Sequence, residues 1–205
     1  MIIKHYIKGP IENNNYLVID EKNKLAVLID ATEYSDDIVQ DVIDGGYKLS
    51  HILLTHGHFD HVGGVSQFKS KFNCKILMHE ADMNWLNNVN VFLPQFGLEP
   101  VETPVIDEFI NDGEMINIGD LHFKVISTPG HTKGSVCFLL ENILFSGDTL
   151  FKGCVGRCDL PGGSYKEIQH SIKDKLFKLP DDTIIYSGHG EASTIGNEKR
   201  FNIEI

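Results

Sequence analysis

Apolar residues in this chain fall into short runs punctuated by Gly, Pro, Asn and Asp, a rhythm that predicts many short strands interleaved with a few helices. Residues 2–7 and 14–20 read as strands, separated by Gly9-Pro10 and an Asn13-Asn14-Asn15 turn, and 25–29 reads as a buried strand. Ile38, Val39, Val42 and Ile43 recur at helical spacing within 35–44, opened by Ser35 as N-cap and closed by Gly45-Gly46. The run Ile52-Leu53-Leu54 is a buried strand that stops at Thr55. Beyond it the pattern predicts a helix over 62–72, a strand over 75–78 and a helix over 80–86. Residues 87–112 have no clean period and hold Pro94, Gly97, Pro100 and Pro104, so they read as a lid or a substrate-facing segment. Strands follow at 114–118, 121–127, 134–140 and 142–146, with two-residue turns Gly119-Asp120 and Glu141-Asn142. Ser164 and Glu167 form a capping-box pattern at the head of a helix over 164–178, and strand 183–187 precedes a short closing helix.

Composition narrows the partners. With 205 residues the chain is long enough to bury a sizeable core, and its 41% hydrophobic and 23% charged residues are ordinary for a globular protein. No apolar run is long enough to span a bilayer, and the N-terminus lacks the basic and apolar regions of a secretory signal, so the expected location is cytoplasmic. A formal charge of −11 argues against nucleic acid or an anionic membrane as partner, because phosphate binding is driven by Lys and Arg. Cys74, Cys137, Cys154 and Cys158 contain no Cys-x-x-Cys and are expected to be thiols.

The chemistry concentrates where strand 52–54 ends. Within six residues come His56, His58, Asp60 and His61, with Gly57, Gly63 and Gly64 freeing the backbone. Imidazole and carboxylate together suit zinc, iron or manganese, whereas calcium and magnesium prefer oxygen. The pair His56/His58 can face one point from an extended loop, and Asp60 and His61, past a turn, can face a second. Asp30, at the end of strand 25–29, is a candidate partner for a ligating histidine. Three more strands end through glycine on one polar residue: Pro129-Gly130-His131, Ser146-Gly147-Asp148 and Ser187-Gly188-His189. Two metals with three or four protein ligands each, and a shared water, need about seven groups. His56, His58, Asp60, His61, His131, Asp148 and His189 supply that number.

Thr-His-Gly-His-Phe-Asp-His-Val-Gly-Gly, with Pro-Gly-His-Thr, Ser-Gly-Asp-Thr-Leu and Ser-Gly-His-Gly, resembles the metallo-β-lactamase superfamily across nearly the whole chain. The resemblance implies an α/β (α+β) fold, a four-layer αββα sandwich of two mixed sheets with helices outside and metals at one sheet edge. Within the superfamily the set is similar to the glyoxalase II group of thioester hydrolases, and the stretch 153–164 to its short, single-domain branch. It implies His56, His58 and His131 on one metal, Asp60, His61 and His189 on the other, and Asp148 between them. The longer enzymes add a C-terminal helical domain that contacts glutathione, whereas only residues 190–205 follow His189 here; residues 1–205 are therefore expected to be one domain without it. Cys158 stands where this branch has Thr.

The expected cofactors are two divalent metal ions, foremost zinc, with iron or manganese as the other choices. Two metals sharing a water would lower its pKa enough to attack the carbonyl of a small-molecule thioester, with Asp60 and Asp148 as the catalytic carboxylates. A thiolate leaves readily, so no general acid is needed. Arg157 and Lys152 are candidate contacts to a substrate carboxylate, with pairing to Asp159 as the other reading of Arg157. The rival enzyme is a persulfide dioxygenase of the same fold, holding one iron through His56, His131 and Asp148. Outside enzymes, the alternative is a metal-binding module without catalysis.

Overall fold

The computed structural model describes residues 1–205, in which twelve strands form two six-stranded sheets. The first sheet runs in sequence order: β1 (Ile2–Lys8), β2 (Asn13–Asp20), β3 (Leu25–Ile29), β4 (Lys48–Leu53), β5 (Lys75–Met78) and β6 (Glu108–Phe109). β1 to β3 pair antiparallel, and β3 to β6 pair parallel. The second sheet has the order β12-β11-β10-β9-β8-β7, from β7 (Met115–Ile118), β8 (Leu121–Ser127), β9 (Val136–Leu140), β10 (Ile143–Gly147), β11 (Ile184–Ser187) and β12 (Ser193–Thr194). Only β10 and β11 are parallel in it. The turns Gly119-Asp120 and Glu141-Asn142 join β7 to β8 and β9 to β10 as two-residue hairpins.

Three apolar clusters set the layers. One lies between the facing sheets and holds Phe123, Phe138 and Phe145, all fully buried. A second packs the outer face of the first sheet against α1 (Asp36–Asp44), α2 (Phe59–Val62), α3 (Val65–Phe72), α4 (Met83–Asn87) and α5 (Val89–Phe92), through residues such as Ile38, Val62, Phe68, Leu86 and Val89. The third packs the outer face of the second sheet against α6 (Tyr165–Asp174) and α7 (Ile195–Phe201), through Ile168, Ile172 and Ile195. The order is helix, sheet, sheet, helix, the four-layer αββα sandwich expected. Phe123→Ala is expected to cost about 3–5 kcal/mol, read from urea unfolding, because both sheets border the void it leaves.

Three expectations need correcting. The helix over 62–72 is split, because Ala31 donates to the His61 carbonyl at 2.8 Å and Gly64 donates back to Ala31 at 2.8 Å, which diverts the helical hydrogen bonds at Gly63-Gly64. The Asn13-Asn14-Asn15 triplet is no turn: it opens β2 and is buried. Residues 87–112, expected as a lid or substrate-facing segment, carry α5, a 3-10 turn at Leu93–Phe96 and the edge strand β6, and their Val89, Phe92 and Phe96 do line a cavity. Ser164 caps α6 as the pattern predicts, its hydroxyl accepting from the Glu167 amide, but Ser35 at the head of α1 makes no side-chain cap and donates to Asp37 instead. No cysteine is paired, and no helix is long and apolar enough to cross a membrane.

Candidate metal centre

The two sheets are sewn together along one edge. Val136, opening β9, donates its amide to the Thr55 carbonyl just past β4 at 2.9 Å, and Asn14 in β2 donates to the Gly188 carbonyl just past β11 at 2.6 Å. The Asn14 side chain adds donations to the carbonyls of Ser187 and Gly190, and the Tyr16 hydroxyl one to Ser187. Loops leaving β4, β8, β10 and β11 therefore open into one space, and those loops carry the candidate ligands.

From β4 the chain stays extended through His58 and then turns into α2, which brings Asp60 and His61 back toward the imidazoles. Two groups result, His56 with His58 and His131, and Asp60 with His61 and His189; Asp148 joins His56 and His61 in a third, and the ligand atoms in each group lie within 4.8 Å of one another. Asp148 sits between them, with Oδ1 3.3 Å from His61 Nε2 and Oδ2 3.6 Å from His131 Nε2 and 3.7 Å from His189 Nε2. Asp60 Oδ2 lies 3.4 Å from His61 Nε2 and 3.3 Å from His189 Nε2. Glycine is required at 188, since a Cβ there would stand 2.2 Å from Asp148 Oδ1.

Hydrogen bonds outside the cluster aim the rings. His61 donates from Nδ1 to Asp30 at 2.7 Å, and Asp30 is itself held by the Thr55 amide and hydroxyl, each at 2.8 Å. His131 donates from Nδ1 to the Arg157 carbonyl at 2.7 Å, and His189 from Nδ1 to that of Ile11 at 3.0 Å. A carbonyl can only accept, so the proton of a neutral His131 or His189 sits on Nδ1 and leaves the Nε2 lone pair facing the cluster. The Asn13 side-chain nitrogen lies 2.7 Å from His61 Nε2 and donates weakly to Asp60 at 3.5 Å.

Electrostatics make this a cation site. Burial, reinforced by the surrounding imidazoles, holds His56 well below the usual histidine range, and burial and His131 pull His58 down to about 3, so both rings are neutral. Burial also opposes charge on His61, but Asp30, Asp60 and Asp148 overcome it and raise its pKa. The same imidazole holds Asp60 and Asp148 below the usual carboxylate range against the opposing effect of their burial. A proton at the centre thus does in part what a metal cation would do fully. Three buried atoms, His56 Nε2, His58 Nε2 and Asp148 Oδ1, have no hydrogen-bond partner. Each such atom costs about 1–3 kcal/mol, which coordination would remove at His56 and Asp148; His58 instead turns Nδ1 toward the cluster, 2.9 Å from His131 Nε2. The mixed imidazole and carboxylate donors fit zinc, iron or manganese.

The sequence matches the family model described as the metallo-beta-lactamase superfamily over residues 9–189. The chain belongs to that superfamily. Its members bind divalent metals, and the coarse activity that follows is that of a metal-dependent hydrolase. The hydroxyacylglutathione hydrolase GloC of Haemophilus influenzae is 36% identical, with 93% of this chain and 91% of that protein covered. The BLEG-1 B3 metallo-beta-lactamase superposes with a TM-score of 0.90 at 34% identity, covering 98% of both chains. TTHA1623 in a di-iron-bound form superposes with a TM-score of 0.88 at 33% identity, covering 98% of this chain and all of its own.

In this member of the superfamily the centre opens on a cavity of about 340 Å³, lined by His58, Asp60, His131, Asp148 and His189 together with Trp85, Phe96 and other apolar residues. Arg157 borders it, but its guanidinium is clasped by Asp159, with Nε and one terminal nitrogen each donating at 2.8 Å. Lys152 is not among the lining residues; it is exposed and paired with Glu191. Cys154 and Cys158 belong to none of the candidate ligand groups, and Cys158 donates to the Gly156 carbonyl. Asn13, Trp85 and the buried Asp82, which ties the loops of His56/His58 and His131 together, had no mark in the sequence. An Asp followed three residues later by Trp on a short amphipathic stretch looks like any capped helix.

Proposed function

We propose that this chain is a binuclear metal-dependent thioester hydrolase acting as the single domain 1–205, on a small acyl-thiol that it splits into an acid and a free thiol. The observation that carries this reading is the pair of three-residue ligand groups with Asp148 between them, facing a largely apolar cavity. His56, His58 and His131 would hold one cation, Asp60, His61 and His189 a second, and Asp148 would bridge them, with zinc as the first choice of metal. Two divalent cations supply Lewis acidity toward a carbonyl and lower the pKa of water enough to make it a nucleophile at neutral pH.

The remaining work falls to the chain. Asp60 and Asp148 present carboxylate oxygens to the space between the histidines and can accept a proton or orient water there. The apolar walls offer water few polar partners beside the centre, which strengthens the charge interactions there. No uncommitted lysine or arginine stands in the cavity as a general acid, which suits a thiolate leaving group with a conjugate-acid pKa of about 8.5. The likeness to a hydroxyacylglutathione hydrolase supports the thioester as substrate.

The test is metal analysis of protein purified without added metal or chelator, followed by a thioester panel that includes S-lactoylglutathione. About two zinc, iron or manganese ions per chain, with thiol release abolished by chelation and restored by metal, is the expected result. One iron per chain with oxygen uptake on a persulfide would replace this reading with the dioxygenase. Stoichiometric metal without turnover of either substrate would leave the binding module.

A further inference from the structure

The cavity beside the candidate metal centre has mainly apolar walls. Trp85, Val89, Phe92 and Phe96 line one side, from α4, α5 and the turn after them, and Phe151 and Leu160 belong to the segment that follows β10. Trp85 packs edge-on against His58 and tilted against Phe92, so the aromatic wall reaches the ligand shell itself. The charged lining residues are Asp60, Asp148 and Arg157, besides the histidines. Arg157 commits one edge of its guanidinium, Nε and one terminal nitrogen, to Asp159, and Lys152, outside the cavity lining, is paired with Glu191.

A carrier such as glutathione brings two carboxylates, which need cations to replace their lost water, and the one lysine or arginine that lines the cavity, Arg157, is already paired with Asp159. An alkyl or aryl group needs only apolar surface, which the cavity has. Resting on the hydrolase reading above, we infer that the preferred substrate is a thioester with an apolar acyl or thiol portion on a small uncharged carrier, and that Trp85 and Phe96 set this preference. Each methylene buried against the wall should improve binding about fourfold, the factor that corresponds to about 0.8 kcal/mol per buried CH₂.

The protein carries its own reporter, since Trp85 is its one tryptophan. Metal-loaded protein is titrated with non-hydrolysable thioethers, S-butyl and S-hexyl N-acetylcysteamine against S-butyl and S-hexyl glutathione, by tryptophan fluorescence. The expected result is a neutral series that tightens about fourfold per methylene and binds at least tenfold more tightly than the glutathione series. Phe96→Ala, at a half-exposed position on the cavity rim, should flatten the chain-length dependence. Equal or tighter binding of the glutathione series, no dependence on chain length, or no binding of the neutral series overturns the inference. Turnover of the matching acyl thioesters is measured in parallel. Binding as expected without thiol release would sink the hydrolase reading and leave the cavity preference standing, whereas thiol release that favours lactoylglutathione would do the reverse.

Discussion

Replacing Asp148 by alanine is expected to lower metal content from about two ions per chain to one or fewer, and thioester turnover on the order of a thousandfold or more. Its two oxygens reach both ligand groups, lying 3.3 Å from His61, 3.6 Å from His131 and 3.7 Å from His189. An asparagine keeps the shape but has one acceptor oxygen and no charge, so Asp148→Asn should keep one metal and remain well below wild type. Misfolding is separable from this effect. In the metal-free chain Asp148 lies 3.3 Å from His61, whose charge holds its carboxyl below the usual range, so the apo variant should melt at a lower temperature, and metal content and turnover are compared where circular dichroism shows both proteins folded. A ligand at a hundred times its Kd stabilises by about 2.7 kcal/mol, and that metal-dependent rise in Tm is what the variants should lose. Two metals per chain in Asp148→Ala, with turnover within tenfold of wild type, would remove this carboxylate from the centre.

The parts of the molecule legible in its sequence are those whose signal is local. His56, His58, Asp60 and His61 announce themselves because spacing along one loop already fixes where their rings can point. His131, Asp148 and His189 share a second local form, a buried strand opening through glycine onto one polar side chain. The helix break at Gly63-Gly64 was hidden because its cause, the hydrogen bonds to Ala31, comes from the end of a distant strand. The buried Asn13-Asn14-Asn15 triplet was misread for the same reason: asparagines in tandem signal a turn unless a remote loop offers their amides partners, as the Ser187–Gly190 carbonyls do here. Arg157 shows the limit for substrate contacts, since its position on the cavity rim and its clasp by Asp159 are both compatible with one sequence.

Asp82 gives the second large expectation, because it does for the centre what no ligand does. Its fully buried carboxylate accepts from the Gly57 amide at 2.9 Å and the Thr132 hydroxyl at 2.7 Å through Oδ2, and from the Gly134 amide at 2.7 Å through Oδ1. Gly57 stands between His56 and His58, and Thr132 follows His131, so one side chain sets the separation of the two loops that carry the first ligand group. The approach is tight enough that a Cβ at Gly134 would lie 2.6 Å from the carboxylate. Burial pushes the Asp82 pKa up against the pull of its three donors, so the carboxylate relies on those donors to stay ionised. Asp82→Ala strands the Gly57 and Gly134 amides, at about 1–3 kcal/mol for each buried donor left unpaired, while the Thr132 hydroxyl keeps Ser135, and should reduce metal affinity at His56, His58 and His131 about 10–100-fold. A structural role alone would lower stability and leave the affinity of the surviving folded protein unchanged. Cobalt substitution separates the two, because its visible spectrum reports each site: the site built on His56, His58 and His131 should weaken, while that of Asp60, His61 and His189 keeps its affinity. Asp82→Asn, which retains one acceptor oxygen in the same volume, should fall between alanine and wild type. Equal weakening of both sites, or of neither, would show that the carboxylate does not position this ligand group.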